Sequence, residues 1–498
     1  MEKDNFFKNS FLLTSSNIAT GILGFIFSIY LSKILGAEGM GLYNLVMPVY
    51  HLFICLMTSG IVAAISKISA VYHYSNEYGN LNKTIKTVSI FNIIWAICIG
   101  LFVFFFAPII AKFGIHDIRT INAIRVACPA MIFISLSNIL KGYFLGTSQI
   151  KVPALIDIFE KAMRLVTIFL LLYTFKTNNL TLLVTLAYVS LAIGELQSLI
   201  FLYLYYKKCT KNIPYRPKVK TEGRLQLLFN VLIISFPLCL NGFLNGIFST
   251  VSTWIVPQRL IHAGFDYNQA LALIGKYTGM AMTLIGIPLI VVGTINTLII
   301  PDLSQTLNQG RSYDAIVRIR KVLKLAFILG LATTVICNLV PGKLGEIFYA
   351  RDDLGNFIKM ASLSAPLFFC STTMFGILNG LSKQGIILRN SIVIAVFELI
   401  SLFIFTSIPS INIYGFSITL FFSSALCLLL NLYEINRCLN LNLSVINIII
   451  FILVAILIYL LFNLLIRYFL LPLTTIKTLS LVFLIFATFA LSSKLGTN

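Results

Sequence analysis

Apolar residues along this chain fall in long windows separated by short polar stretches. Fourteen windows of about 20 residues can be drawn, at approximately 10–33, 43–66, 87–111, 121–144, 153–175, 180–206, 227–254, 271–299, 322–342, 359–381, 388–408, 412–434, 445–467 and 475–493. That length is what an α-helix needs to cross roughly 30 Å of hydrocarbon. The pattern therefore predicts an all-α integral membrane protein of about fourteen transmembrane helices.

Composition agrees. With 58% hydrophobic and only 11% charged residues, 498 residues carry more apolar surface than a soluble core could hide. The first window follows a mixed-charge terminus and has no small-residue cleavage site after it, so it reads as a retained helix. Nine cysteines are scattered singly without a CxxC, as small buried hydrophobes rather than disulfides or metal ligands. A net charge of +20 would suggest nucleic acid in a soluble protein. Here lysine and arginine concentrate in the termini and even-numbered loops, which predicts cytoplasmic termini and no nucleic-acid partner.

The heaviest of those loops, 207–224, follows six windows and contains Pro214 and Pro217. It reads as a basic cytoplasmic linker between an N-lobe (1–206) and a C-lobe (225–436), with two additional helices in 437–498. An internal repeat supports the cut: Gly142 and Gly146 in GYFLGTSQ are echoed by Gly376 and Gly380 in GILNGLSKQ. Small residues four apart let membrane helices approach closely, and their recurrence in two halves points to duplication.

No P-loop, HExxH or GxSxG occurs, and the four histidines lie far apart. An enzyme, a nucleotide drive and a resident cofactor are not expected, and a membrane-embedded glycosyltransferase is the weaker alternative. The chemistry lies inside the spans. IDIFEKAMRL (156–165) places Asp157, Glu160, Lys161 and Arg164 on the fifth window. Asp157 to Lys161 and Glu160 to Arg164 have the favourable i, i+4 order. Arg164 lies about 16 Å deep at 1.5 Å per residue, so it needs a partner or water. Glu195 on the sixth window sits at a similar depth, close enough to pair with it. Either the cluster is an ion-pair clamp or it is the wall of a wet cavity for an anion. Lys141, Arg125 and Lys276 lie near window ends, where snorkelling is expected. Glu398 has no basic neighbour on its own helix. Asn17 with Thr14, Ser15, Ser16 and Thr20, and Asn241 and Asn245 with Ser249 and Ser252, form polar stripes suited to a cavity lining or to helix packing. Pro48, Pro237, Pro288 and Pro366 lie within windows and can kink them.

KILGAEGMGLYNLVMPVYHLF (33–53) and TSGIVAAISK (58–67) resemble the stage V sporulation protein B group of the multidrug, oligosaccharidyl-lipid and polysaccharide exporter superfamily. KGYFLG (141–146), IDIFEKAMR (156–164) and TLIIPDLS (297–304) extend the resemblance. It implies two six-helix lobes around a central cavity plus two helices. It also implies a flippase for an undecaprenyl-pyrophosphate-linked saccharide in the bacterial cytoplasmic membrane, plausible for spore cortex peptidoglycan. The substrate-binding candidates are then Arg164, Lys161, Lys141, Glu160, Glu195, Asn17, Asn241, Asn245 and Lys276. By the same resemblance, Gly21 and Phe27 stand where lipid II flippases carry arginines, as do Thr283 and Gly286 for an arginine and an acid. Lys141, Lys161 and Arg164 must then supply the first lobe's positive charge. Membrane lipids are expected partners and the coupling ion is unassigned. The alternatives are a cation antiporter using Glu195 and Glu398, and a scaffold that recruits cell-wall synthesis enzymes.

Overall fold

The computed structural model describes the backbone of residues 2–58, 60–211, 222–441, 444–470 and 474–492. Of the basic linker, residues 212–221 lie outside the described residues. Every regular element among the described residues is helical. The first unit is built from most of α1 (Glu2–Thr58), α2 (Ile61–Tyr74), α3 (Tyr78–Ile109), α4 (Ile121–Gly146), α5 (Lys151–Phe175), α6 (Leu180–Lys211) and most of α7 (Arg224–His262). The second unit holds α8 (Tyr267–Ile274), α9 (Met282–Asn308), α10 (Ser312–Leu339), α11 (Pro341–Tyr349), α12 (Gly355–Ser362), α13 (Ala365–Gly380), α14 (Gln384–Phe405), α15 (Gly415–Leu439), α16 (Val445–Leu465) and α17 (Thr475–Ser492).

Among the described residues, each of the fourteen windows lies mainly on helix. By length and apolarity ten helices among the described residues can cross a membrane, or eleven counting α12 with α13, which is bent by 50°. The difference has plain causes. The first two windows run together over Leu12–Tyr74, α5 carries five charges, and Thr475–Leu491 is short. Pro366 lies in the first turn of α13, at the bend rather than inside a span. Its missing N–H costs nothing there.

Compactness groups residues up to Phe27 and Leu42–Trp254 in the first unit, and Ser28–Gly41 with Ile255 onward in the second. The segment 28–41 belongs with α8 because of its glycines. Gly36 has φ 66° and ψ −169°, a conformation reserved almost wholly for glycine. It redirects α1 so that Ala37 and Gly41 lie backbone to backbone against Leu271 and Gly275. Gly36→Ala is expected to cost about 1–3 kcal/mol, read as a lowered melting temperature in detergent.

Within each unit one helix is central. α4 packs on α2, α3 and α6, and α5 packs on α6; α13 packs on α9, α10 and α15, and α14 packs on α15. The glycine repeat lies in the equivalent contacts. A Cβ on Gly146 would sit 2.4 Å from the Ser66 carbonyl oxygen on α2, and one on Gly380 would sit 3.0 Å from Leu303 on α9. Val62, Ile65 and Ser66 thus face the first GxxxG pair, and Asn296, Ile300 and Leu303 the second. Asp302 also accepts from Arg318, and Arg320 donates to the Leu441 carbonyl. α16 and α17 both pack on α10.

Candidate functional site

α5 is held against α6 at Gly194, where a Cβ would come within 3.0 Å of Glu160 Oε1 and 3.6 Å of the Arg164 Cβ. This approach buries Glu160 and leaves Asp157, Lys161 and Arg164 half-buried. Glu160 and Glu195 are both almost fully buried. Lys141 Nζ on α4 reaches Asp157 Oδ1 at 2.7 Å, and Lys161 Nζ reaches Glu160 Oε2 at 2.7 Å. Arg164 donates to the Tyr43 hydroxyl at 3.1 Å, and its guanidinium carbon lies 4.2 Å from the centre of the Phe27 ring. Tyr188 donates to the Tyr43 carbonyl at 2.9 Å, and the two rings lie 5.1 Å apart. Tyr43 is thereby locked in place beneath the arginine.

The pairing differs from that expected within one helix. Asp157 bonds to Lys141 instead of Lys161, and Glu160 to Lys161 instead of Arg164. Lys141, three-quarters or more buried, needs an acid and finds Asp157 across the helix contact, which releases Lys161 to Glu160. Lys141 is therefore paired rather than snorkelling. Arg164 and Glu195 make no ion pair among the described residues, although Glu195 lies in the field of Glu160, Lys141, Lys161 and Arg164. Glu160 Oε1 and Arg164 Nε are buried without hydrogen-bond partners. Hydrogen-bonding capacity is therefore left open at the middle of the cluster, where an unsatisfied polar atom is costly.

The remaining candidates are not brought into this cluster. Ser16, next to Asn17, donates to the Ala154 carbonyl at 2.9 Å and fastens α1 to the start of α5. Asn245 donates to Asn241 at 3.2 Å on α7. Asn241 and Gly242 also line a groove of about 500 Å³ with Gly60, Ala63, Ser66 and Leu145. In the second unit, Lys276 bonds to Asp353 at 2.7 Å, so it too is paired. Glu398 makes no ion pair among the described residues.

Arg351 and then Lys276 hold the Asp353 carboxyl well below the usual carboxylate range. A carboxylate lowered on folding stabilises the protein above its unfolded pKa, here 3.8, and loses that contribution as pH falls toward the folded value. Because Asp353 is more than a third exposed, solvent screens it. Asp353→Asn is expected to cost at most about 1 kcal/mol at neutral pH. The melting-temperature gap to the parent protein is expected to stay constant above about pH 5 and to narrow below about pH 4.

The sequence reading missed Tyr43 and Tyr188. Tyr43 lies in the GAEGMGLY stretch, which was its available signal; nothing marks Tyr188. Phe27, read as a lost arginine position, is the platform on which Arg164 rests.

Residues 6–307 match the polysaccharide biosynthesis protein family. The chain belongs to that family. Among its relatives, stage V sporulation protein B of Bacillus subtilis (strain 168) is 24% identical over 447 residues, covering 89% of this chain and 86% of that protein. Lipid II flippase MurJ of the same organism is 23% identical over 417 residues, 79% of this chain and 76% of its own. A solved structure, lipid II flippase MurJ in an inward closed conformation, superposes with a TM-score of 0.72 at 13% identity, covering 97% of this chain and 99% of that one. The fold of this family member is therefore that of a multi-span membrane transporter.

Proposed function

We propose that this protein flips an undecaprenyl-pyrophosphate-linked saccharide across the bacterial cytoplasmic membrane by alternating access. A pyrophosphate and sugar headgroup cannot cross hydrocarbon unaided, so a wet polar path with fixed cations must receive it. One observation carries the reading: Arg164 lies half-buried among the helices, with neutral partners and a buried, unpaired Nε, while each nearby lysine is matched to an acid. In this reading Arg164 contacts the pyrophosphate, and Lys161 and Lys141 are secondary cations oriented by Glu160 and Asp157. Asn17, Asn241 and Asn245 hydrogen-bond sugar hydroxyls. Family membership and the similarity to stage V sporulation protein B and MurJ support this cargo class, with spore cortex peptidoglycan as its destination. Cytoplasmic termini follow from the loop charge.

A second reading, cation antiport, is favoured by Glu195 and Glu398, two intramembrane carboxyls without an ion pair among the described residues. The test is purified protein in liposomes containing an undecaprenyl-pyrophosphate-linked disaccharide, its arrival in the far leaflet followed with an impermeant sugar-modifying enzyme. Protein-dependent flipping is expected. Its absence, together with proton- or sodium-driven efflux of ethidium from the same preparation, would replace the flippase with the antiporter.

A further inference from the structure

The first unit carries a second cation for which the proposed function has no use. Where α3, α4 and α6 meet, a groove of about 350 Å³ is lined by Phe104, Arg125, Pro129, Phe133, Ile193 and Leu196. It opens among apolar side chains that have no protein cover: Leu101, Phe102 and Phe105 are 50%, 51% and 69% exposed. On a membrane protein such a face meets lipid. On α6 the groove lies away from Gly194, which faces α5, so it is separate from the charged cluster.

Arg125 stands one turn into α4, with its guanidinium carbon 5.2 Å from the centre of the Phe104 ring. Its Nε is buried without a partner, and it makes no ion pair among the described residues. Neither acid on the neighbouring segments pairs with Arg125 among the described residues. Asp117, at the same end of α4, accepts from Arg119 through both carboxylate oxygens at 2.8–3.1 Å. Glu195 has its charge neighbours in Lys141, Lys161 and Arg164. Pro129 adds a second open group, because it lacks the N–H that would bond to the Arg125 carbonyl four residues earlier. An unneutralised arginine facing hydrocarbon is costly, and at such a surface the available anions are lipid phosphates.

We infer that this groove binds one anionic phospholipid of the bilayer, its phosphate on Arg125 and an acyl chain along Phe133, Ile193 and Leu196. A headgroup carrying hydroxyls as well as phosphate, such as phosphatidylglycerol, also supplies a donor for the open carbonyl.

Native mass spectrometry of the full chain, titrated with phosphatidylglycerol or phosphatidylcholine, tests this. Preferential retention of one phosphatidylglycerol is expected, weakened about tenfold by Arg125→Gln, the scale of one lost charge-assisted contact, and largely restored by Arg125→Lys. Ala192→Phe fills the groove without touching the charge and is expected to give the same loss, which covers the case in which Arg125→Gln does not fold. Equal retention of the two lipids, or unchanged phosphatidylglycerol binding in the variants, overturns the assignment. So does undecaprenyl phosphate displacing phosphatidylglycerol from the parent protein but not from Ala192→Phe, which would give the groove to the cargo.

Discussion

Arg164→Ala is expected to lower flipping of a polyprenyl-pyrophosphate-linked saccharide about a hundredfold, corresponding to about 2.7 kcal/mol, while folded protein in the membrane stays near the parent level. The two effects separate because of the pairing. Asp157 and Glu160 are bonded to Lys141 and Lys161, so removing Arg164 breaks no ion pair. What the fold loses is one bond to a neutral hydroxyl and one contact with an aromatic face, each about 1 kcal/mol. What the cargo loses is a fixed cation in a site of low dielectric, where a charge-assisted bond to phosphate is strongest.

Lys141→Ala provides the contrast. It leaves Asp157 without its cation, but that carboxylate is more than a third exposed, so solvent screens the loss and the cost is at most about 1 kcal/mol. Folded protein is then expected to stay near the parent level, and flipping to fall less than in Arg164→Ala, because Lys141 is a secondary cation in the proposed path. Quantifying both by size-exclusion of detergent extracts and by the liposome assay distinguishes the cases. Parallel loss of protein and flipping in Arg164→Ala would make the arginine part of a structural clamp.

The spans were legible because twenty-residue apolar windows report a single physical demand, the thickness of the bilayer. Gly142, Gly146, Gly376 and Gly380 were legible as contact points because the repeat places them at equivalent positions. The charged residues were legible as a cluster but not as pairs. Spacing along one helix reveals only partners on that helix, and the bond from Lys141 to Asp157 joins α4 to α5. Tyr188 carries no sequence signal at all, since its role is to donate to the Tyr43 backbone carbonyl. The glycines of GAEGMG stood out as a motif, yet the cause of Gly41 is a tertiary contact with Leu271 and Gly275 more than two hundred residues later.

That contact sets the largest expected effect on folding. Gly275→Val is expected to remove most folded protein. A Cβ at 275 would lie 1.8 Å from the Ala37 carbonyl oxygen and 2.8 Å from the Gly41 nitrogen, while one at Gly41 would lie 2.1 Å from the Leu271 carbonyl oxygen. These are backbone atoms on both sides, so no side chain can rotate away and the two segments must separate. Separation opens the packing of Leu35, Met40, Leu271 and Ile274, all at most 4% exposed. The cost is about 4 kcal/mol or more, a large share of the 5–15 kcal/mol that typically holds a domain together. Gly293→Ala is the matched control: nothing lies within 4 Å of its Cβ, and alanine is the better helix former by about 1 kcal/mol. Fluorescence-detected size-exclusion should show the Gly275→Val peak lost and the Gly293→Ala peak intact with an unchanged or raised melting temperature. A folded Gly275→Val protein melting like the parent would mean that segment 37–41 and α8 do not pack backbone to backbone.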